Sequence, residues 1–102
     1  NNSSNLPSFG IMYPQLKTFA HKFELNNKVA MLLMHKNTRD AHIMGILLTN
    51  INAITINEAL KMSEMLITEE LKNIFARNVL SQLPYITELP LTYAKLFGIN
   101  LT

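Results

Sequence analysis

A chain of 102 residues, 48% apolar and 16% charged, amounts to one domain with a core to bury, which excludes an intrinsically disordered segment. With no cysteine and three scattered histidines, it offers no disulfide framework and no metal-ligand spacing, so neither metal nor cofactor is expected and a reducing compartment is the natural one. A net charge of +2 allows contact with nucleic acid but lacks the concentrated basic face of a dedicated binder.

Residues 1–13 read as a polar lead whose opening, NNSSNLPS, lacks the apolar core of a signal peptide. Residues 14–98 read as a single domain and 99–102 as a tail. The first helix starts at Pro14, a residue suited to the first turn, and carries Leu16, Phe19, Ala20 and Phe23 along one apolar face. A second, over 27–35, carries Val29, Ala30, Leu32 and Leu33. Asn37 or Thr38 caps a third, which is apolar on nearly all sides through Ile43, Met44, Ile46, Leu47 and Leu48. Such a helix must be covered on more than one side, so it is the expected centre of the fold, and Leu47→Ala is expected to cost about 2–5 kcal/mol.

Thr55 and Glu58 stand in capping-box spacing at the head of a helix over 56–66. Thr68, followed by two glutamates, opens the next, whose stripe is Leu71, Ile74, Phe75, Val79 and Leu83 and which Pro84 stops. A last helix over 87–97 carries Leu89, Tyr93, Leu96 and Phe97 and ends at Gly98. No stretch alternates as a strand does. About six short helices with brief connections imply antiparallel pairs stacked side by side, an all-α helical-repeat fold. The longest apolar runs, VAMLLM and IMGILL, fall well short of the roughly 20 residues that cross a bilayer, so a soluble, cytoplasmic chain is expected.

Three segments carry a family likeness through their order and spacing. They are FGIMYPQLKTFAHKF, TRDAHIMGILL with Arg39, Asp40, Ala41 and His42 at its head, and ARNVLSQLPY with Asn78, Leu83, Pro84 and Tyr85. Together, over residues 9–85, they resemble the bacterial DNA alkylation-repair glycosylases built from HEAT-like helical repeats. The resemblance implies a metal-free protein whose concave face cradles duplex DNA. It also implies that this chain corresponds to the middle of a longer enzyme or to a shortened relative. Active members of that family carry a tryptophan–aspartate–x–x–aspartate segment before the asparagine. Here Glu69 falls at the tryptophan position and Asn73 at that of the catalytic aspartate, and the chain has no tryptophan. A neutral amide cannot supply the negative charge that steadies an oxocarbenium cation, so weak or absent catalysis is expected.

Arg39, Asp40 and His42 can be read as phosphate contacts beside a helix amino end, or as a fastening. Basic groups oppose the dipole at a helix start, which favours Asp40 as the dipole's partner and Arg39 as the partner of a carboxylate such as Glu64. Asn78, within an apolar stripe, reads as a buried amide bonded to an adjacent helix pair, with direct base recognition as the alternative. Lys61, Lys72 and Arg77 would line a DNA-facing groove, or form a solvated surface diluted by Glu69 and Glu70. Lys17, His21 and Lys22 form a lighter basic edge whose stems cover apolar surface, and the methionines read as core filler. No Gly-rich phosphate loop, zinc-protease motif or nucleophile elbow is present. Two functions follow: a DNA-associated relative of the alkylation-repair glycosylases, or a non-catalytic helical scaffold for a protein partner.

Overall fold

Short polar side chains set most of the helix starts. The computed structural model describes Ser8 and residues 10–86. Among these residues the structure is all-α: α1 (Tyr13–Ala20), α2 (Asn27–Met34), α3 (Arg39–Leu47), α4 (Ile56–Glu64) and α5 (Glu69–Asn78), followed by a 3-10 turn at Leu80–Gln82. Asn26 accepts from the amides of Lys28 and Val29, Thr38 from Ala41 and Thr68 from Leu71. Thr55 and Glu58 form the reciprocal capping box, at 3.1 and 2.8 Å. Each of these bonds satisfies first-turn amides that have no partner inside the helix. The helix expected over 87–97 lies outside the described residues.

The core is organised around α3, which packs against α1, α2 and α5. Its Ile43 and Ile46 are fully buried, together with Leu71, Phe75 and Val79 from the α5 side and Met62 from α4. The approach of α2 to α3 is close. A Cβ at Gly45 would stand 2.8 Å from the Ala30 carbonyl oxygen and 3.0 Å from Met34 Sδ. The two helices are pinned at one end by a reciprocal amide clasp. Asn50 donates its N–H to Asn27 Oδ1 at 2.7 Å, and Asn27 Nδ2 donates to the Asn50 carbonyl at 3.3 Å. Beside it, Asn26 N–H donates to the Leu48 carbonyl at 2.8 Å. The start of α2 is thereby joined to the end of α3, which makes the pair antiparallel.

The helices are shorter than periodicity predicts. α1 ends at Ala20 and buries only Leu16 and Ala20, leaving Phe19 and Phe23 about half exposed at 49% and 50%. α2 buries Ala30 and Met34, one turn apart, so Val29 and Leu32 face outward at 40% and 65% exposure. α5 stops at Asn78 instead of reaching Pro84. Leu83 must be extended because a proline follows it, and the chain tightens into the 3-10 turn that buries both Leu80 and Leu83. Tyr85 then donates its hydroxyl to the Ile54 carbonyl at 3.0 Å. Burial, and then the charge of Glu58, hold that phenol above its ordinary pKa. No helix among the described residues is long and apolar enough to cross a membrane.

Leu47 is only partly buried, whereas Ile46 is 1% exposed. The large loss expected for Leu47→Ala therefore belongs to Ile46→Ala, at about 2–5 kcal/mol. Equal losses at the two positions in urea denaturation would contradict this placement of α3. Gly45→Ala lowers stability by about 1–3 kcal/mol, because the new methyl meets a backbone carbonyl that cannot rotate away.

Candidate functional site

Arg39 is the first residue of α3, and its guanidinium reaches three parts of the chain. It forks Glu70 on α5, with Nε to Oε1 at 2.7 Å and Nη2 to Oε2 at 2.8 Å. Nη1 donates to the Ile11 carbonyl at 2.9 Å and to Asp40 Oδ1 at 3.0 Å. The approach to α1 is shaped by Gly10, whose φ of +78° suits a residue without a side chain. Ser8 Oγ donates to Asp40 Oδ1 at 3.3 Å from the same loop. The carboxylate that holds Arg39 is thus Glu70, not Glu64. Two parallel bonds raise the guanidinium pKa and hold the Glu70 carboxyl below its ordinary value of 4.5, the Arg39 hydrogen bonds being the largest cause.

His42 is 5% exposed, and its Nε2 lies 2.7 Å from the Lys36 carbonyl, which can only accept, so the proton sits on Nε2. Its Nδ1 is buried with no hydrogen-bond partner among the described residues. The ring is buried at the head of α3, against the Lys36 carbonyl. Asn78 donates through Nδ2 to the Tyr13 hydroxyl and to the Ile74 carbonyl, both at 2.9 Å. It joins α5 to α1. Arg39 and Asn78 therefore tie together the helices that flank α3.

The residues assigned to DNA contact are spread over the surface. Asn73 and Arg77 line an open groove of about 370 Å³ with Tyr13, Glu70 and Ile74. Lys61 lines a different groove, of about 260 Å³, between α2 and α4. Lys72 sits 3.7 Å from Glu69, and both are exposed. Lys61 and Arg77 thus line separate grooves. The carboxylate lining the Asn73 groove is Glu70, which Arg39 holds through two hydrogen bonds. Among the described residues no group of three or more His, Asp or Glu side chains is placed to hold a metal ion.

A different feature stands out on the segment of α1, α2 and their connection, whose two helices both pack on α3. Of the eight exposed large apolar side chains among the described residues, Ile11, Met12, Phe19, Phe23, Leu25, Val29 and Leu32 belong to this segment or its approach, and only Ile67 lies elsewhere. Charge is segregated in the same way. Lys17, Lys22, Lys28 and Lys36 outweigh Glu24, giving residues 13–36 a net +3, whereas Arg39, Lys61, Lys72 and Arg77 against Asp40, Glu58, Glu64, Glu69 and Glu70 leave residues 37–86 at −1. Phe19 and Phe23 pack edge to face, with ring centres 5.0 Å apart. Lys17 and Lys22 stand 5.9 and 6.0 Å from the ring centres of Tyr13 and Phe19. Beside them, Phe23 and Leu25 open onto a groove of about 410 Å³ floored by Ile46, Leu47 and Ile51, with Lys17 and His21 on its rim. Sequence periodicity assigns Phe19, Phe23, Val29 and Leu32 to the core. The available signal to the contrary is the alternation of lysines with these apolar positions.

Arg39→Ala lowers the unfolding free energy by about 1–2 kcal/mol, less than a buried ion pair would lose, because Glu70 is half in water. Glu70 titrates with a lowered pKa in the folded state, so its contribution is present above pH 4.5 and is lost as the pH falls through the folded value. The stability gap between the native chain and Glu70→Gln, followed by urea denaturation, is accordingly full at neutral pH and closes on acidification below that value. A gap that widened in acid would contradict the pairing. No family model, no curated protein and no solved structure matches this chain.

Proposed function

We propose that this chain is a non-catalytic helical interaction module, a HEAT-like stack of short helices that binds a protein partner through its α1–α2 face. The observation that carries the reading is the coincidence, on the segment of α1, α2 and their connection, of seven of the eight exposed large apolar side chains among the described residues and the excess positive charge. Phe19, Phe23, Leu25 and Leu32 stand in water, and exposed apolar groups gathered in one region are characteristic of interaction surfaces. Interfaces favour aromatic anchors surrounded by a polar rim, the arrangement found around Phe19 and Phe23.

The duplex-DNA reading, with its link to alkylation repair, draws on Asn73 and Arg77 sharing a groove and on the +2 charge of the whole chain. It has less support. Arg39 is tied to Glu70 and Asp40, Lys72 stands beside Glu69, and Lys61 lines a groove of its own. A phosphate backbone is held by several unpaired cations along one track, and its binding weakens steeply with salt.

A photo-crosslinking amino acid in place of Phe23 or Leu32 should yield a discrete protein adduct in cells, and the same group in place of Glu64 or Arg77 should not. Adducts confined to the latter positions would overturn the reading. So would salt-sensitive binding to duplex DNA that Lys61→Ala and Arg77→Ala abolish. Because Leu32 is 65% exposed, Leu32→Ser changes the unfolding free energy by under about 0.5 kcal/mol, as expected for a surface position. Binding can therefore be tested in a folded variant.

A further inference from the structure

The α1–α2 face also carries information about what it binds. We infer that its occupant is an amphipathic helix of a partner protein with acidic flanks, seated with a large apolar side chain in the groove between α1 and α3. This inference rests on the docking reading above.

Three observations select that chemistry. The first is charge. Lys17 and His21 stand on the rim of the groove, Lys22 stands over the ring of Phe19, and Glu24 is the only acid in residues 13–36. Carboxylates on the partner would meet cations along the α1 side, and lysines there would meet like charge, which disfavours the wrong partner more strongly than it strengthens the right one.

The second is shape. Phe23 and Leu25 form the lip of a groove of about 410 Å³ lined within by Ile46, Leu47 and Ile51, with Thr49 and Asn78 as its inner polar groups. An inserted side chain fills such a groove and strips water from its apolar lining. A flat lipid surface would cover the lip and leave the floor empty. A nucleic-acid backbone would satisfy the lysines but would place a polyanion against Phe19, Phe23 and Leu25, with no apolar counterpart for them.

The third is secondary structure. Among the described residues there is no strand, so no sheet edge is on offer to pair with an extended peptide. An amphipathic helix laid into an apolar groove is a peptide-recognition mode that needs no sheet edge, and its large apolar side chains match this lining.

The test uses the whole chain and three synthetic helical peptides that share one stripe of Leu and Phe at i, i+3, i+4 and i+7. Their flanking positions carry Glu, Gln or Lys. By fluorescence anisotropy the Glu peptide should bind at least about tenfold more tightly than the Lys peptide, with the difference shrinking as salt screens the rim. Lys17→Glu combined with Lys22→Glu should reverse that order, and Phe23→Asp should weaken all three peptides while the fold, checked by circular dichroism, persists. Equal affinities for the three peptides would overturn the acidic specificity and leave the docking face standing. Failure of every peptide, with crosslinks still formed at Phe23, would overturn the helical occupant alone. Failure of both peptides and crosslinks would overturn the docking face as well. Binding to phosphatidylserine vesicles with no peptide binding would make the face a membrane contact and overturn the inference.

Discussion

α3 cannot be stable at a surface, and the missing side chain at Gly45 is what allows it to be enclosed. With Ile43 and Ile46 fully buried, the helix needs neighbours on several sides. The tightest of these contacts is with α2, where the backbone of Ala30 occupies the space a Cβ would need. The rest of the packing follows from that approach. α2 presents the small Ala30 and the flexible Met34 to α3, and its bulkier Val29 and Leu32 are left facing outward. The hydrophobic stripe that should have been core thus becomes surface, because the closest approach of two helices is reached with small side chains.

Polar side chains then fix the arrangement that apolar burial alone leaves loosely specified. The Asn27–Asn50 clasp sets the register of α2 against α3. Arg39 links the approach to α1, the head of α3 and α5, and Asn78 closes the circuit between α5 and α1 through the Tyr13 hydroxyl. These bonds are directional, and each satisfies groups that would otherwise be costly to remove from water. At the head of α3 the guanidinium of Arg39 is engaged by Glu70, Asp40 and the Ile11 carbonyl.

What remains in water is apolar surface on α1, α2 and their connection, with lysines beside it. Charge is segregated along the chain, residues 13–36 being positive and residues 37–86 slightly negative. A partner with carboxylates around an apolar stripe would be steered to this face before any contact is made.

Much of this protein is legible in its residues. Cap residues announce the starts of α3, α4 and α5, since a short oxygen-bearing side chain bonds amides only two or three residues away, and that geometry is local. The all-α class and the central place of α3 are equally readable, because 3.6-residue periodicity and all-round apolarity are properties of one segment. The cap at Asn26 could have been read in the same way and was hidden by its neighbour Asn27, whose role is tertiary. Which apolar face is buried was not legible. Phe19, Phe23, Val29 and Leu32 fit a core stripe by spacing, yet α1 turns Leu16 and Ala20 inward and α2 turns Ala30 and Met34 inward, the latter where Ala30 meets Gly45. The pairing of Arg39 with Glu70 rather than Glu64, and the separation of Lys61 from Arg77, depend likewise on where α5 and α4 come to rest. Local hydrogen bonding and periodicity determined the helices; the close packing of particular side chains, a property of no single segment, decided which apolar faces were left exposed.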